Sequence, residues 1–416
     1  MDDLLEKFGL GRDRGDRSGT VTFLPEPEPR HRHFVVISVD DHVVEPPNVF
    51  EGRLPRRFED RTPRVLEGGD GSQVWDFDGK LLPNIGVNAV VGRPPEERTT
   101  NPVRFDEMRR GAWDIDGRIA DMDIDGVYAS LNFPSFLAGF SGQRLQRRDD
   151  PEFGLALVQA YNSWHIEDWA GRYPDRIIPC QLPWLIDPEV GASEIRKNAV
   201  LGFKAITFPE APHKLGFPSL HSGHWDPLLR ACEETETVVA LHIGSSSTHP
   251  ECAPDAPSDT IGVLFGFVAV TTAVDWLFSG VALRFPNLRI VLSEGGIGWV
   301  PALLDRLDHS FRVGQGVLHS WESELTPSEV LLRNFRFCAL EDRTAYRVLD
   351  RIGSANVLVE VDYPHADGSW PDTQAHLKME LGSLTSSEQA DVSWRNASEL
   401  FRHPVPQDVL QTITID

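Results

Sequence analysis

The segment FVVISVD at 34–40 is apolar at nearly every position, and similar runs recur along the chain. They fall at 127–132 (VYASLN), 176–182 (RIIPCQL), 203–208 (FKAITF), 237–242 (TVVALH), 288–293 (LRIVLS), 334–339 (NFRFCA) and 356–361 (NVLVEV). Short apolar runs bounded by Gly, Pro or polar residues read as strands buried on both faces, the form found in parallel sheets. Between them the apolar spacing changes to three and four, as in PEFGLALVQAYNSWHIEDWAGRY, PEVGASEIRKNAV, WDPLLRACEETE and WVPALLDRLDHSF. That spacing predicts helices. Eight strands alternating with helices is the count of an α/β (β/α)8 TIM barrel. An open doubly wound sheet is the competitor, but no G-x-G-x-x-G follows the first strand, which removes support for its dinucleotide-binding form.

Two segments depart from this alternation. Residues 1–33, ending in PEPEPRHRH, are rich in Pro, Arg and Asp without an apolar period, and read as a flexible or surface-draped arm. His31 and His33 within it read as solvated side chains rather than a metal clip. Residues 51–112 form a long insertion after the first strand, of the kind that covers the C-terminal mouth of a barrel. The remainder, 34–416, reads as one domain around that insertion.

Composition narrows the partners. The chain has 416 residues, 40% of them hydrophobic, and a formal net charge of −23. Such a charge disfavours nucleic acid and anionic membranes as partners. The N-terminus MDDLLEKFGLGRDRGDRSG lacks an apolar signal core, and the apolar stretch at 261–278 lacks basic flanks, so the expectation is a cytoplasmic protein with no membrane partner. Cys180, Cys232, Cys252 and Cys338 have no CxxC spacing and read as reduced thiols, not a thiolate metal site.

The expected strand ends carry the chemistry. The first ends in Asp40, Asp41 and His42, the fifth in His242, and the eighth runs into EVDYPH with Asp362 and His365. Asp40 and His42, two apart, leave a strand end on the same side and can chelate one cation together. His242 adds an imidazole and Asp362 a carboxylate, a set that suits one divalent ion, Zn or Mn, with Fe possible. Taken singly, His242 is equally a hydrogen-bonded core histidine and Asp362 a helix cap. Glu45 reads either as support for the ligands or as a cap, and NFPS at 132–135 as a pocket wall. Trp164, Trp169, Trp184 and Trp299 read as packing residues, and His221 and His224 as helix-end residues.

The motifs SVDDHVVEPP, RIADMDIDGV, LHIGS, SEGGIGWVP, VDYPHADGSWP and RNASELF, spread over residues 34–402, resemble the amidohydrolase-related family of the amidohydrolase superfamily. The branch is that of aminocarboxymuconate-semialdehyde decarboxylase and the resorcylate-type decarboxylases. The resemblance implies a metal-dependent (β/α)8 barrel with Asp40, His42, His242 and Asp362 as ligands. It also implies a homodimer or larger assembly. Where the family commonly has a His at the end of strand 6, this chain has Glu294. Lys204 stands two residues into the expected fourth strand, and is read as structural rather than as a carbamylated bridge between two metals. Two reactions are open. One is non-oxidative decarboxylation of a small aromatic or unsaturated carboxylic acid, with Asp362 or Glu294 supplying the proton, His242 beside them, and His365, Arg104 and Arg109 on the substrate. The other is hydrolysis of an amide, lactone or C–C bond by a metal-activated water.

Overall fold

Strand β1 (Ile37–Val43) is buried at every position, as are β2 (Ala129–Pro134), β5 (Val238–His242) and β6 (Ile290–Ser293). With β4 (Ala205–Thr207), β7 (Phe335–Ala339) and β8 (Val357–Val359), these match seven of the eight expected strands. The eighth, β3, comes in two pieces, Ile177–Ile178 and Cys180–Gln181, separated by Pro179. The computed structural model describes residues 21–413 except 70, 99–100, 248, 258 and 315–319.

Every pairing in this sheet is parallel. The order runs from the first piece of β3 through β2, β1, β8, β7, β6, β5 and β4 to the second piece of β3. Both ends of the order belong to one strand, so the sheet closes into a barrel. One buried cluster fills its interior, with Ile37, Val39, Ala129, Leu131, Ala205, Val238, Ala240, Val291, Cys338 and Leu358. Ala397 and Phe401, from the C-terminal segment, join that cluster. A larger apolar shell packs the strands against the surrounding helices.

Those helices begin where the sequence supplies caps. Asp114 accepts from Gly117 N–H ahead of α1 (Ile115–Asp125), and Asp150 from Phe153 N–H ahead of α2 (Pro151–Trp164). Asp187 caps α3 (Pro188–Leu201). Then come α4 (Asp226–Glu234), α5 (Val268–Phe278), α6 (Val300–Val313), α7 (Pro327–Asn334) and α8 (Thr373–Glu380). Aspartate and proline at these positions satisfy or remove the orphan N–H groups of a first helical turn. The helical run Asp259–Phe278 is, by length and composition alone, the one described helix apolar enough to cross a membrane. Its second half is α5, whose Ala269, Ala273, Trp276 and Leu277 lie in the shell of the core.

The insertion holds a three-stranded antiparallel sheet of Arg64–Glu67, Gln73–Phe77 and Lys80–Leu82. Its second turn is Asp78-Gly79, both with positive φ, the geometry that suits a tight hairpin. Residues 21–33 drape over the barrel. Leu24 N–H donates to Gly92 O (2.9 Å), Arg30 N–H to Ile124 O (2.7 Å) and His33 N–H to Gln374 Oε1 (2.8 Å). The rest of the expected arm, residues 1–20, lies outside the described residues. Lys204 precedes β4 and so stands at the opposite end of the barrel from His42 and His242, where no metal bridge is possible.

Candidate metal centre

The C-terminal ends of β1, β5, β6 and β8 meet at one mouth. His242 Nε2 is 2.9 Å from His42 Nε2 and 3.7 Å from Asp40 Oδ1. His42 Nε2 is 3.5 Å from Asp40 Oδ1 and 3.6 Å from Asp362 Oδ1. The donor atoms of Asp40, His42 and His242 all fall within 4.8 Å of one another, as do those of His42, Asp362 and His365. All five residues are buried.

The donor chemistry fits a divalent cation. Neither oxygen of Asp40 accepts a hydrogen bond, Asp362 has the His365 ring beside its Oδ1 (2.8 Å), and an unpaired buried carboxylate costs several kcal/mol. Burial raises the pKa of Asp40 well above the carboxylate range, helped by the negative charges of Glu360 and Asp362. Asp362 is raised likewise by burial, then by Asp367 and Glu360. His242 Nδ1 lies 2.7 Å from Ile243 O, which assigns the ring proton to Nδ1 and turns the Nε2 lone pair toward the cluster. Burial pushes His242 down to about 3 and His42 well below its ordinary value, so both imidazoles are neutral and ready to ligate. Two neutral imidazoles and two buried carboxylates around one point make a candidate ligand set for one ion.

The surrounding structure holds these groups in place. Asp362 N–H donates to Asp40 O (2.9 Å) and His42 N–H to Tyr363 O (2.7 Å), locking β8 to β1 at the ligands. Asp41 does not turn into the cluster; its Oδ1 accepts from Ser38 Oγ (3.1 Å) and Tyr363 N–H (3.0 Å). Buried Arg118 of α1 donates to the carbonyls of His42 and Gly111, with its guanidinium 4.4 Å from the Tyr363 ring centre. Glu45 gathers the N–H groups of Ser135, Leu137 and Ala138 and so shapes the loop after β2. Phe140, on that loop, packs its ring 4.7 Å from His42 and 4.4 Å from His242.

Glu294 and Asp362 both adopt left-handed backbone, with φ of 57° and 56°. Non-glycine residues pay strain there, and such strain concentrates where a side chain must be aimed. Glu294 Oε2 reaches to 3.5 Å from His242 Nε2 and is 17% exposed, against 0% for His242. Burial and the neighbouring Asp362 carboxylate raise its pKa well above the ordinary value. Its N–H donates to buried Glu360 (2.9 Å), whose own pKa burial pushes up to about 8.

Of the residues singled out in the sequence, the structure brings together Asp40, His42, His242, Asp362, Glu294 and His365, whose Nδ1 is 2.8 Å from Asp362 Oδ1. Arg104 and Arg109 are not among them. Arg104 pairs with Glu67 (2.7 Å) and Asp106 (3.1 Å), and Arg109 with Glu26 (2.8 Å) and Asp121 (2.5 Å). Arg109 thus ties the arm to α1. The four tryptophans are buried, and exposed His221 pairs with Asp275 (2.8 Å). Sequence reasoning passed over Arg118, Glu360 and Phe140. A charge inside an otherwise buried run was the available signal for Glu360, in NVLVEV, and nothing local marked Phe140.

The amidohydrolase family model matches residues 31–403. A 2-amino-3-carboxymuconate-6-semialdehyde decarboxylase from Dictyostelium discoideum is 24% identical over 295 residues, 68% of this chain and 76% of that protein. An amidohydrolase from Mycobacterium avium subsp. paratuberculosis K-10 superposes with a TM-score of 0.66 at 23% identity, covering 88% of this chain and 99% of that one. A 5-carboxyvanillate decarboxylase from Novosphingobium aromaticivorans, solved with manganese and 4-hydroxy-3-methoxy-5-nitrobenzoic acid, superposes at 0.60 and 20% identity, covering 92% of this chain and all of that one.

Proposed function

Because this chain belongs to the amidohydrolase family, we propose that it is a metal-dependent, non-oxidative decarboxylase of a small aromatic or unsaturated carboxylic acid. Asp40, His42, His242 and Asp362 would hold one divalent ion, Zn or Mn, with Fe also suited to the set. The observation that carries the reading is Glu294, the partly exposed acid at the rim of a cluster whose ligands are sealed from solvent. The relatives named as decarboxylases, one of them solved with manganese, support it.

When bound, the ion supplies positive charge that binds a substrate carboxylate and offsets negative charge as the C–C bond breaks. Glu294, kept protonated by burial and by Asp362, delivers a proton to the carbon that loses CO2, and that carbon's bonding pair becomes the new C–H bond. His365 braces Asp362, and Phe140 shields the imidazoles from water. The same reading includes a dimer or larger assembly working in the cytoplasm, tested by light scattering on the purified protein.

The primary test pairs elemental analysis with CO2 release from a panel of hydroxybenzoic acids, using wild type beside Asp40→Ala, His42→Ala. About one equivalent of metal in wild type and little in the variant, with CO2 released only by wild type, is the expected outcome. Equal metal in both proteins would remove the ligand assignment. A metal-loaded wild type that hydrolyses amides or lactones and releases no CO2 would replace lyase by hydrolase.

A further inference from the structure

Glu360 is a buried acid at the top of the barrel that the metal centre does not use. Leu358 faces the barrel interior, and Glu360, two residues on along the line of β8, faces it as well. It is 4% exposed, and among the described residues it belongs to none of the side-chain groups close enough to share an ion. Its carboxylate reaches sideways instead. β7 separates β8 from β6 in the sheet, yet Glu360 Oε2 accepts the N–H of Glu294 (2.9 Å), the residue that follows the end of β6. On the strand between them the interior side chain is Cys338, small enough to lie against Glu360 and leave the crossing open.

Glu294 needs such an anchor. Its φ of 57° costs a non-glycine residue about 1–3 kcal/mol, and the loop it opens, EGGIG at 294–298, has few side chains with which to hold that conformation by itself. The loop is fastened at three points. Trp299 Nε1 donates to Gly295 O (2.8 Å), and Asp342, just beyond β7, accepts from Gly298 N–H (2.9 Å). Glu360 supplies the third, and it grips the one residue of the loop whose side chain turns to the metal centre, with Oε2 3.5 Å from His242 Nε2.

We propose that Glu360 is a positioning residue for the decarboxylation: by holding the Glu294 N–H across the barrel it aims the Glu294 carboxyl at the carbon to be protonated, without itself touching ion or substrate. The inference rests on the reading of Glu294 as the proton donor. Displacing a reacting group by about 1 Å can cost about 10²-fold in rate. The grip therefore acts on kcat and spares both KM and metal binding.

The test measures metal content and steady-state CO2 release on metal-loaded Glu360→Gln, Glu360→Met and Glu360→Asp, each alone and combined with Glu294→Gln, and solves crystal structures of the Met and Asp variants. Gln offers an amide oxygen at the same reach and should restore most of kcat. Met fills the volume without an acceptor, and Asp keeps the acid but falls one methylene short. Both should lower kcat by about 10- to 100-fold, with KM and metal content as in wild type, and neither should lower it further once Glu294 is Gln. In their crystals Glu294 should leave its left-handed φ and its place beside His242. Equal losses with and without Glu294, or loss of metal, would overturn the proposal, as would a Glu294 that keeps its position in both structures. A wild type that releases no CO2 would sink the decarboxylase reading alone, and the two crystal structures would still decide whether Glu360 sets the position of Glu294.

Discussion

Asp125 closes α1 and accepts two hydrogen bonds from Thr373, one from its N–H (2.9 Å) and one from its hydroxyl (2.6 Å). The contact fastens α1 to the start of α8, just beyond the loop that carries Asp362 and His365. Asp125 is buried, and desolvation pushes its pKa from the ordinary 3.8 up to about 7. Below 3.8 the acid holds its proton in both folded and unfolded chains. Between 3.8 and about 7 the folded protein keeps a proton that the unfolded chain has released, so stability falls as pH rises, and above 7 the loss is complete. At 1.36 kcal/mol for each pH unit, the gap amounts to about 4 kcal/mol. Asp125→Asn is neutral at every pH, still accepts from Thr373 N–H, and can donate its amide to the Thr373 hydroxyl. Relative to wild type, the variant should therefore gain about 4 kcal/mol between pH 4 and pH 8. Urea unfolding followed by tryptophan fluorescence at both pH values measures this, and the metal ligands, common to both proteins, cancel. A variant-to-wild-type difference that is the same at both pH values would refute the assignment.

Glu294→Gln should lower kcat for CO2 release by about 10²–10⁴ while metal content stays at the wild-type level, since it removes a proton donor and no ligand; unchanged kcat would transfer the role to Asp362. Arg118→Met leaves the buried carbonyl of His42 unpaired and should cost about 3–5 kcal/mol in urea unfolding, with metal lost at lower chelator concentration than from wild type. Glu45→Ala orphans three buried N–H groups and should cost about 3 kcal/mol, with faster amide exchange confined to the loop around Ser135–Ala138. An unchanged exchange pattern there would show that the loop does not depend on Glu45.

The barrel was legible because strands buried on both faces tend to be apolar at consecutive positions, and β5 and β6 show that pattern up to their last residues, His242 and Ser293. The candidate ligand cluster was legible because charge at the end of a buried strand needs a compensating partner, and a cation would answer several such strand ends at once. Less accessible was whatever depends on distant parts of the chain. Arg104 and Arg109 look like free cations in NPVRFDEMRR, and only folding reveals Glu67 and Asp121 beside them. The left-handed backbone at Glu294 is imposed by surroundings, since glutamate does not favour it, while Asp362 is of a type that adopts it more readily. Some signals were present and unread. Thr326 and Glu329 form a capping box that announces α7, and Asp78-Gly79 marks the hairpin inside the insertion.

A closed ring of strands has no edge, but this one has a joint. At Pro179 the third strand changes hands, bonding β2 through Ile177 and Ile178 and β4 through Cys180 and Gln181. Proline brings no amide proton to that point, and both Lys204 and Ala205 turn to the single carbonyl of Pro179. Unfastened there, the ring would relax into an open sheet in which β1, β8, β7, β6 and β5 remain consecutive neighbours. Every strand that carries or leads into a candidate ligand, β1, β5 and β8, lies in that unbroken stretch. Parting the ring at its joint would therefore leave the candidate ligand residues on strands still joined through their neighbours, because the joint and the candidate site lie on different strands of the same hoop.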